Sequence, residues 1–189
     1  MKKLGSQLVL GILVTTLSVL ATLANYVGTS FSGKSAGHSS AARQHLADAN
    51  REEGLAMQLV ILDATTFDNF YVYTGRDEEL ANYYYENFSP ALRASVERDA
   101  PFDDDYYDEM YGQADELLKK ADEEFANADD YSLLAGALRL LTLISAIGLS
   151  FAAYASLLEE GNQLRSIFAL FATIALGLIV LQFLFVLLP

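Results

Sequence analysis

Two apolar runs close this chain, Leu133 to Leu158 and Leu164 to Leu188, parted only by Glu159-Glu160-Gly161-Asn162-Gln163. At about 1.5 Å of rise per residue each can cross a hydrocarbon core of about 30 Å as a helix. Apolar material gathered into blocks of that length is lost to a soluble core, so whatever precedes it is tethered to a membrane. The polar break, with Gly161-Asn162 at its centre, is short enough that the two runs must return on each other as a hairpin.

A third run lies at the other end. Leu4 to Asn25 follow Met1-Lys2-Lys3 and carry no charge, enough for about 33 Å of helix. The stretch exceeds the apolar core of a secretory signal, and only weak small-residue cleavage patterns occur around Val19-Leu20-Ala21 and Thr22-Leu23-Ala24, which favours an uncleaved anchor. The expected fold is therefore an all-α membrane protein with three transmembrane helices and an extramembranous antiparallel helical stalk between spans 1 and 2. Residues 1–28 form the anchor, 29–132 the acidic helical domain and 133–189 the C-terminal transmembrane hairpin.

Small and hydroxylated residues recur at helical spacing in all three runs: Gly11, Thr15, Ser18, Thr22 and Asn25 in the first, Ser145, Gly148 and Ala152 in the second, Ala169, Thr173 and Gly177 in the third. Such stripes let helices approach closely and let hydroxyls bond across the contact. Gly11, Thr15, Ser18, Thr22, Gly148, Ala152, Thr173 and Gly177 are accordingly the expected packing seam, among the spans or with a second copy. Arg139, the one ionisable residue of the second run, is expected to reach towards the headgroups rather than to serve a gate. Gln182 is expected to bond a neighbouring helix.

The middle of the chain is acidic. It holds almost all of the 25 Asp and Glu, and the whole chain carries a net charge of −13. Phosphates need Lys and Arg to displace their counterions, so nucleic acid is excluded as a partner and anionic lipid headgroups are disfavoured. The absence of cysteine removes disulfides, thiolate metal sites, lipoprotein acylation and cysteine nucleophiles together.

Thr29 to Gly37 is rich in Gly and Ser and reads as a flexible exit from the bilayer. Leu55, Leu59, Leu62, Thr66, Phe70 and Tyr73 then follow helical spacing and predict an amphipathic helix with one apolar face, ended by Gly75. Asp77-Glu78-Glu79 opens a second helix whose buried face is Leu80, Tyr83, Tyr84 and Phe88. Ser89-Pro90 is an N-cap followed by proline at the first helical position, predicting a short helix to about Arg98 that Ala100-Pro101 breaks. Beyond Phe102, the repeat of Met110, Ala114, Leu117, Ala121, Phe125 and Ala128 predicts a long helix returning to the membrane, antiparallel to the first.

None of these residues composes a known chemistry. His38 and His45 are seven apart, about 10 Å along a helix, and cannot share a metal within one helix. Asp103-Asp104-Asp105 with Asp108 and Glu109 departs from a calcium loop, which places Gly at its sixth position and Glu at its twelfth, where this chain has Asp108 and Ala114. These carboxylates read instead as the acidic opening of a helix. The many tyrosines, among them Tyr71, Tyr83, Tyr84, Tyr106 and Tyr107, suit either a docking face or the filler of a thin helical stalk, with Tyr131 an interfacial anchor. No phosphate loop, zinc-protease helix or nucleophile elbow occurs.

Tyr26-Val27-Gly28-Thr29-Ser30-Phe31-Ser32-Gly33, Asp77-Glu78-Glu79-Leu80-Ala81-Asn82-Tyr83-Tyr84, Phe88-Ser89-Pro90 and Pro101-Phe102 together carry a resemblance. Their order resembles that of uncharacterised small prokaryotic integral membrane proteins with one N-terminal span, an acidic helical segment and a C-terminal pair of spans. The acidic bias is similar to that of a halophilic archaeal member. The resemblance implies no activity, cofactor or catalytic residue.

The expected function is a non-enzymatic scaffold or interaction module in the cell membrane, presenting the acidic stalk on the extracytoplasmic side. Lys2, Lys3 and Arg165 favour that orientation, while Lys34, Arg43, Lys119 and Lys120 near the other face oppose it. Its expected partners are the lipid bilayer and a second copy or another membrane protein, and no cofactor or metal is expected. The alternative is a small pore, transporter accessory or sensor subunit acting as an oligomer.

Overall fold

The computed structural model describes residues 6–187, and side chains as far as Leu184. Lys2 and Lys3, the beginning of the first apolar run at Leu4, and Leu188-Pro189 lie outside the described residues. Five helices follow in order, with no strand among the described residues: α1 (Gln7–Tyr73), α2 (Glu78–Glu86), α3 (Pro90–Glu97), α4 (Asp104–Leu157) and α5 (Gln163–Leu187). They form two compact units, one of residues 1–38 with 127–189 and one of residues 39–126. The chain passes between them along α1 after His38 and along α4 after Ala126.

The first unit holds three helical stretches long and apolar enough to cross a membrane, the mark of a multi-pass membrane protein. Its interior mixes alanines with a few large aliphatic side chains. Ala152, Ala155, Ala169 and Ala172 are buried with Leu10 and Leu13, and Ala24 is buried with Leu17, Leu138, Leu141 and Ile179. Its outer surface is Ile12, Val19, Leu23, Leu143, Ile147, Leu170, Ile174, Leu178 and other large apolar residues. Alanine between the helices and large apolar residues over the outside is the reverse of a water-soluble protein's surface. It suits lipid, where tails solvate Leu and Ile as well as protein does, and packing rather than hydrophobic burial holds helices together.

Thr29 to Gly37, expected as a flexible exit, is helical and belongs to α1 throughout. Propensity is overridden there by contacts inside the unit. Gly28 lies so close to α4 that an added Cβ would meet the Leu138 Cβ at 3.2 Å. Ser35 Oγ donates to the Ala128 carbonyl at 2.8 Å, and Phe31 meets Tyr131 at 5.9 Å between ring centroids. Glycine and serine are here the means of close approach.

The second unit pairs the outer parts of α1 and α4 and closes them with α2 and α3. The pairing is antiparallel, since Asp63 of α1 meets Tyr106 of α4 while the earlier Leu55 and Ala56 lie beside the later Met110 and Gln113. Both helices bury alanine at every seventh residue, Ala42, Ala49 and Ala56 on one and Ala114 and Ala121 on the other, and α4 continues the series with Ala128 and Ala135. A repeat of seven keeps one narrow seam in register along two helices, and alanine in it brings the backbones close. The far end is an aromatic cluster of Phe88, Leu92 and Tyr106 with Phe67, Phe70, Tyr85 and Phe102 packed round them.

Local signals set the ends of these elements. Gly75, at φ 77°, follows α1, and Arg76 and Asp77 donate to the Tyr73 carbonyl. That left-handed position costs a glycine little. Asp77 caps α2 by accepting from the Leu80 amide at 3.1 Å, and Ser89 caps α3 by accepting from the Leu92 amide at 3.1 Å. Asp103 does the same for α4 through the Tyr106 amide at 2.9 Å. Phe102 adopts φ 60°, strained for a bulky residue, and holds its ring edge-on to Phe67 and Tyr106.

One expectation about α1 changes. Leu55, Leu59 and Leu62, read as its buried face, are 48%, 48% and 58% exposed, whereas Ala56, Asp63 and Thr66 are buried and Val60, Phe67 and Phe70 partly so. The leucine spacing is helical, but the helix has two apolar flanks. The close seam belongs to the alanines, because a leucine there would force the backbones apart.

Candidate functional site

Between Glu53 and Asp68 the only ionisable residue of α1 is Asp63, and its side chain is turned inward at 2% exposure. It accepts from the Ser89 amide at 3.0 Å, from Ser89 Oγ at 2.5 Å and from the Tyr106 hydroxyl at 3.0 Å. Three donors from two other segments thus satisfy a carboxylate that would otherwise be costly to bury. Ser89 also receives the Leu92 amide, so the group that starts α3 is the group that fastens it to α1. Burial raises the Tyr106 hydroxyl well above its ordinary pKa, and its bond to Asp63 adds to the shift.

Around this node the electrostatics are local. Burial pushes the Asp103 carboxyl up, but Arg98, bonded to it at 2.8 and 3.0 Å, and the Tyr106 amide outweigh that and hold it below the ordinary carboxylate range. Glu116 is held low by Lys120 one turn away at 2.6 Å. The remaining acidic residues of the α4 opening, Asp104, Asp105, Asp108 and Glu109, are exposed. Among the described residues no group of three His, Asp or Glu converges as a metal would require.

With Asp63 inside, the outward part of α1 from Gly54 to Phe67 presents no charge. Leu55, Met57, Leu59, Ile61 and Leu62 are all exposed there, on a chain of net charge −13. Leu55 and Leu59 form one wall of a groove of about 330 Å³ whose other sides are Ala56, Ala91, Met110 and Pro90, with Glu52 and Glu109 on its lips. Leu55, Leu59 and Leu62 run along one flank of the helix and Met57 and Ile61 along the other, and an exposed apolar strip such as the first, on a unit rich in carboxylates, marks an interaction surface. Neither the strip nor the buried carboxylate was recognised from the sequence. The signal that could have found both is one fact, a lone aspartate in an otherwise uncharged helical stretch.

The expected packing residues fall in several places. Gly148 stands where all three spans meet: a Cβ on it would lie 2.9 Å from the Ala175 Cβ and 3.2 Å from Leu17 Cδ1. Ala152 is fully buried nearby. Thr173 is half-buried and donates to the Ala169 carbonyl at 2.8 Å. Gly11, Thr15, Ser18, Thr22 and Gly177 are exposed, and an added Cβ on Gly11 or Gly177 would touch nothing within 4 Å. Thr15 and Thr22 donate to carbonyls of their own helix, Gly11 and Ser18, at 2.9 Å each. Within one chain the first span is packed instead through Leu10, Leu13, Leu17, Ala24 and Gly28.

Two arginines tie the ends of this unit. Arg139 reaches along α4 to donate to Ser32 Oγ at 3.0 Å, close to Phe31 and Tyr131, over whose rings Lys34 lies at 5.7 and 5.2 Å. His38 stacks on Tyr131 at 5.4 Å. Such a collar of cations and aromatic rings is characteristic of a bilayer boundary. Arg165, only 4% exposed, donates to the Leu158 carbonyl at 2.7 Å and to Gln7 Oε1 at 2.9 Å. It closes the carbonyl end of α4 and pins the hairpin to the start of α1.

The class that these features define is an all-α chain with three helices long and apolar enough to cross a membrane. Comparison with protein-family models, curated proteins and solved structures returned no match.

Proposed function

We propose that this protein is a membrane-anchored, non-enzymatic docking module. In this reading its three spans lie in the cell membrane and hold residues 39–126 as a helical stalk on the extracytoplasmic side, where the stalk receives a protein partner. The observation that carries the reading is the uncharged outer strip of α1. Leu55, Leu59 and Leu62 are exposed on it, and an exposed strip of apolar residues costs solubility unless something covers it.

A photo-crosslinking residue at position 59 or 62, activated in native membranes, tests the proposal. The expected result is a discrete adduct with a protein, abolished by Leu59→Asp. Adducts to lipid alone, or none, would overturn it. Protease access to residues 39–126 in intact cells tests the orientation, and protection there would place the stalk in the cytoplasm.

A further inference from the structure

We infer that the groove beside Leu55 and Leu59 takes a cationic amphipathic helix. This rests on the docking reading above and adds the chemistry of the partner. The groove has an apolar floor of Ala56, Ala91 and Met110, and its lips are Glu52 on α1 and Glu109 on α4. At about 330 Å³ it is at the small end of ligand cavities, a size for the apolar side chains of a segment rather than for a large free ligand.

The wall continues along α1 as Leu55, Leu59 and Leu62, spaced by four and three and all exposed. That is the ridge another helix packs against, laying its own apolar residues at the same spacing into the space alongside. A helical occupant therefore matches the wall, and Ser89 and Pro90 at the start of α3 also line the groove.

Charge selects among helices. Glu52 and Glu109 border the groove, and Glu53, Asp105 and Asp108 lie exposed near them in the chain. A second copy of this chain would bring the same carboxylates into contact with them, and an anionic lipid surface or a nucleic acid would be repelled for the same reason. Lysine or arginine flanking an apolar face would instead meet an acidic residue on each side. Arg51 already contacts Glu52 at 2.7 Å but is itself 69% exposed, so this pair is weakly held and an incoming cation can replace it.

The test uses the full chain in nanodiscs of zwitterionic lipid, with empty discs as the baseline. The probe is a labelled helical peptide of leucine and lysine, its leucines at spacings of three and four, followed by fluorescence anisotropy. The expected result is saturable binding above the baseline. It should weaken at least tenfold in Leu59→Ser and in the Glu52→Gln/Glu109→Gln double variant, and fall with added salt. Replacing the peptide's lysines by glutamate should abolish it.

Equal binding of the glutamate peptide, or equal binding to all variants, would overturn the inference. So would Leu59-dependent self-association of the discs' protein, which would name a second copy as occupant. Circular dichroism of each variant checks that α1 and α4 are intact; of the three positions Leu59 and Glu109 are exposed and Glu52 is partly so. If crosslinking from position 59 captures a partner whose segment carries no basic residues, this inference falls while the docking reading stands. If it captures no protein, the docking reading itself falls.

Discussion

Asp63 and Tyr106 are buried in the second unit and bonded to each other. Asp63→Ala leaves the Ser89 amide, Ser89 Oγ and the Tyr106 hydroxyl without their acceptor. At about 1–3 kcal/mol for each buried group left unsatisfied, a loss of about 3 kcal/mol or more is expected in denaturant unfolding followed by circular dichroism. Tyr106→Phe removes one bond and should cost about 1–2 kcal/mol near neutral pH.

The pH dependence of that smaller loss is diagnostic. The Tyr106 hydroxyl has a higher pKa folded than unfolded, so its contribution is complete below the unfolded value of about 10 and fades as pH rises towards the folded one. The stability gap between wild type and Tyr106→Phe should therefore hold from pH 7 to 9 and narrow above about 10. A constant gap would mean that the phenol is not perturbed. Gly148 and Gly177 form a second contrast. Gly148→Ala places a methyl against Ala175 and Leu17 and should destabilise the three-span unit by about 1–3 kcal/mol. Gly177→Ala meets nothing and should be neutral or slightly stabilising through helix propensity. Unfolding in mixed micelles reads both.

At the scale of elements, much was legible because the signals were local. Ser89-Pro90, Gly75, Asp77 and the Ala100-Pro101 break announce helix ends by stereochemistry confined to a few residues, and each stands at a helix end in the structure. The repeat from Met110 to Ala128 was legible too, since its alanines alternate with larger residues and all three of Ala114, Ala121 and Ala128 are buried. In α1 the leucines concealed the seam. Size draws attention to Leu55, Leu59 and Leu62, whereas close helix packing selects the alanines between them. Ala49→Leu should accordingly destabilise the second unit by about 1–3 kcal/mol through overpacking, while Leu62→Ala, at an exposed site, should change stability by less than about 0.5 kcal/mol. Thermal unfolding of the two variants separates a seam of alanine from a seam of leucine.

Arg165 shows the same limit at the hairpin. In sequence it is a charge in a loop, yet its neighbours in space, Leu158 and Gln7, lie on either side of it in the fold and far apart in the chain. Arg165→Gln should loosen the packing of α1 on the hairpin, seen as faster cleavage near Gly161 by added protease and a lower unfolding midpoint in detergent.

For the whole molecule, the apolar runs made the three candidate spans readable from length and composition alone, because bilayer thickness is an external ruler. The antiparallel pairing of the long helices in residues 39–126 was readable, but what locks it was not, since that depends on one buried carboxylate among 25 acidic residues and on contacts between segments well separated in sequence. The alanine seam carries a further consequence. A repeat of seven has a translational degeneracy: slide α1 past α4 by one period and Ala42 takes the place of Ala49, and Ala49 that of Ala56, so the seam alone barely distinguishes the two alignments. Asp63 breaks the degeneracy, for the same slide would put Ala56 where Asp63 stands and carry the carboxylate into the place of Phe70, away from Ser89 and Tyr106. It acts as the index mark on a vernier. In a chain without cysteine, paired cysteines placed across the seam in the native and in the slipped alignment can read this out, and only with Asp63→Leu is the slipped pair expected to crosslink.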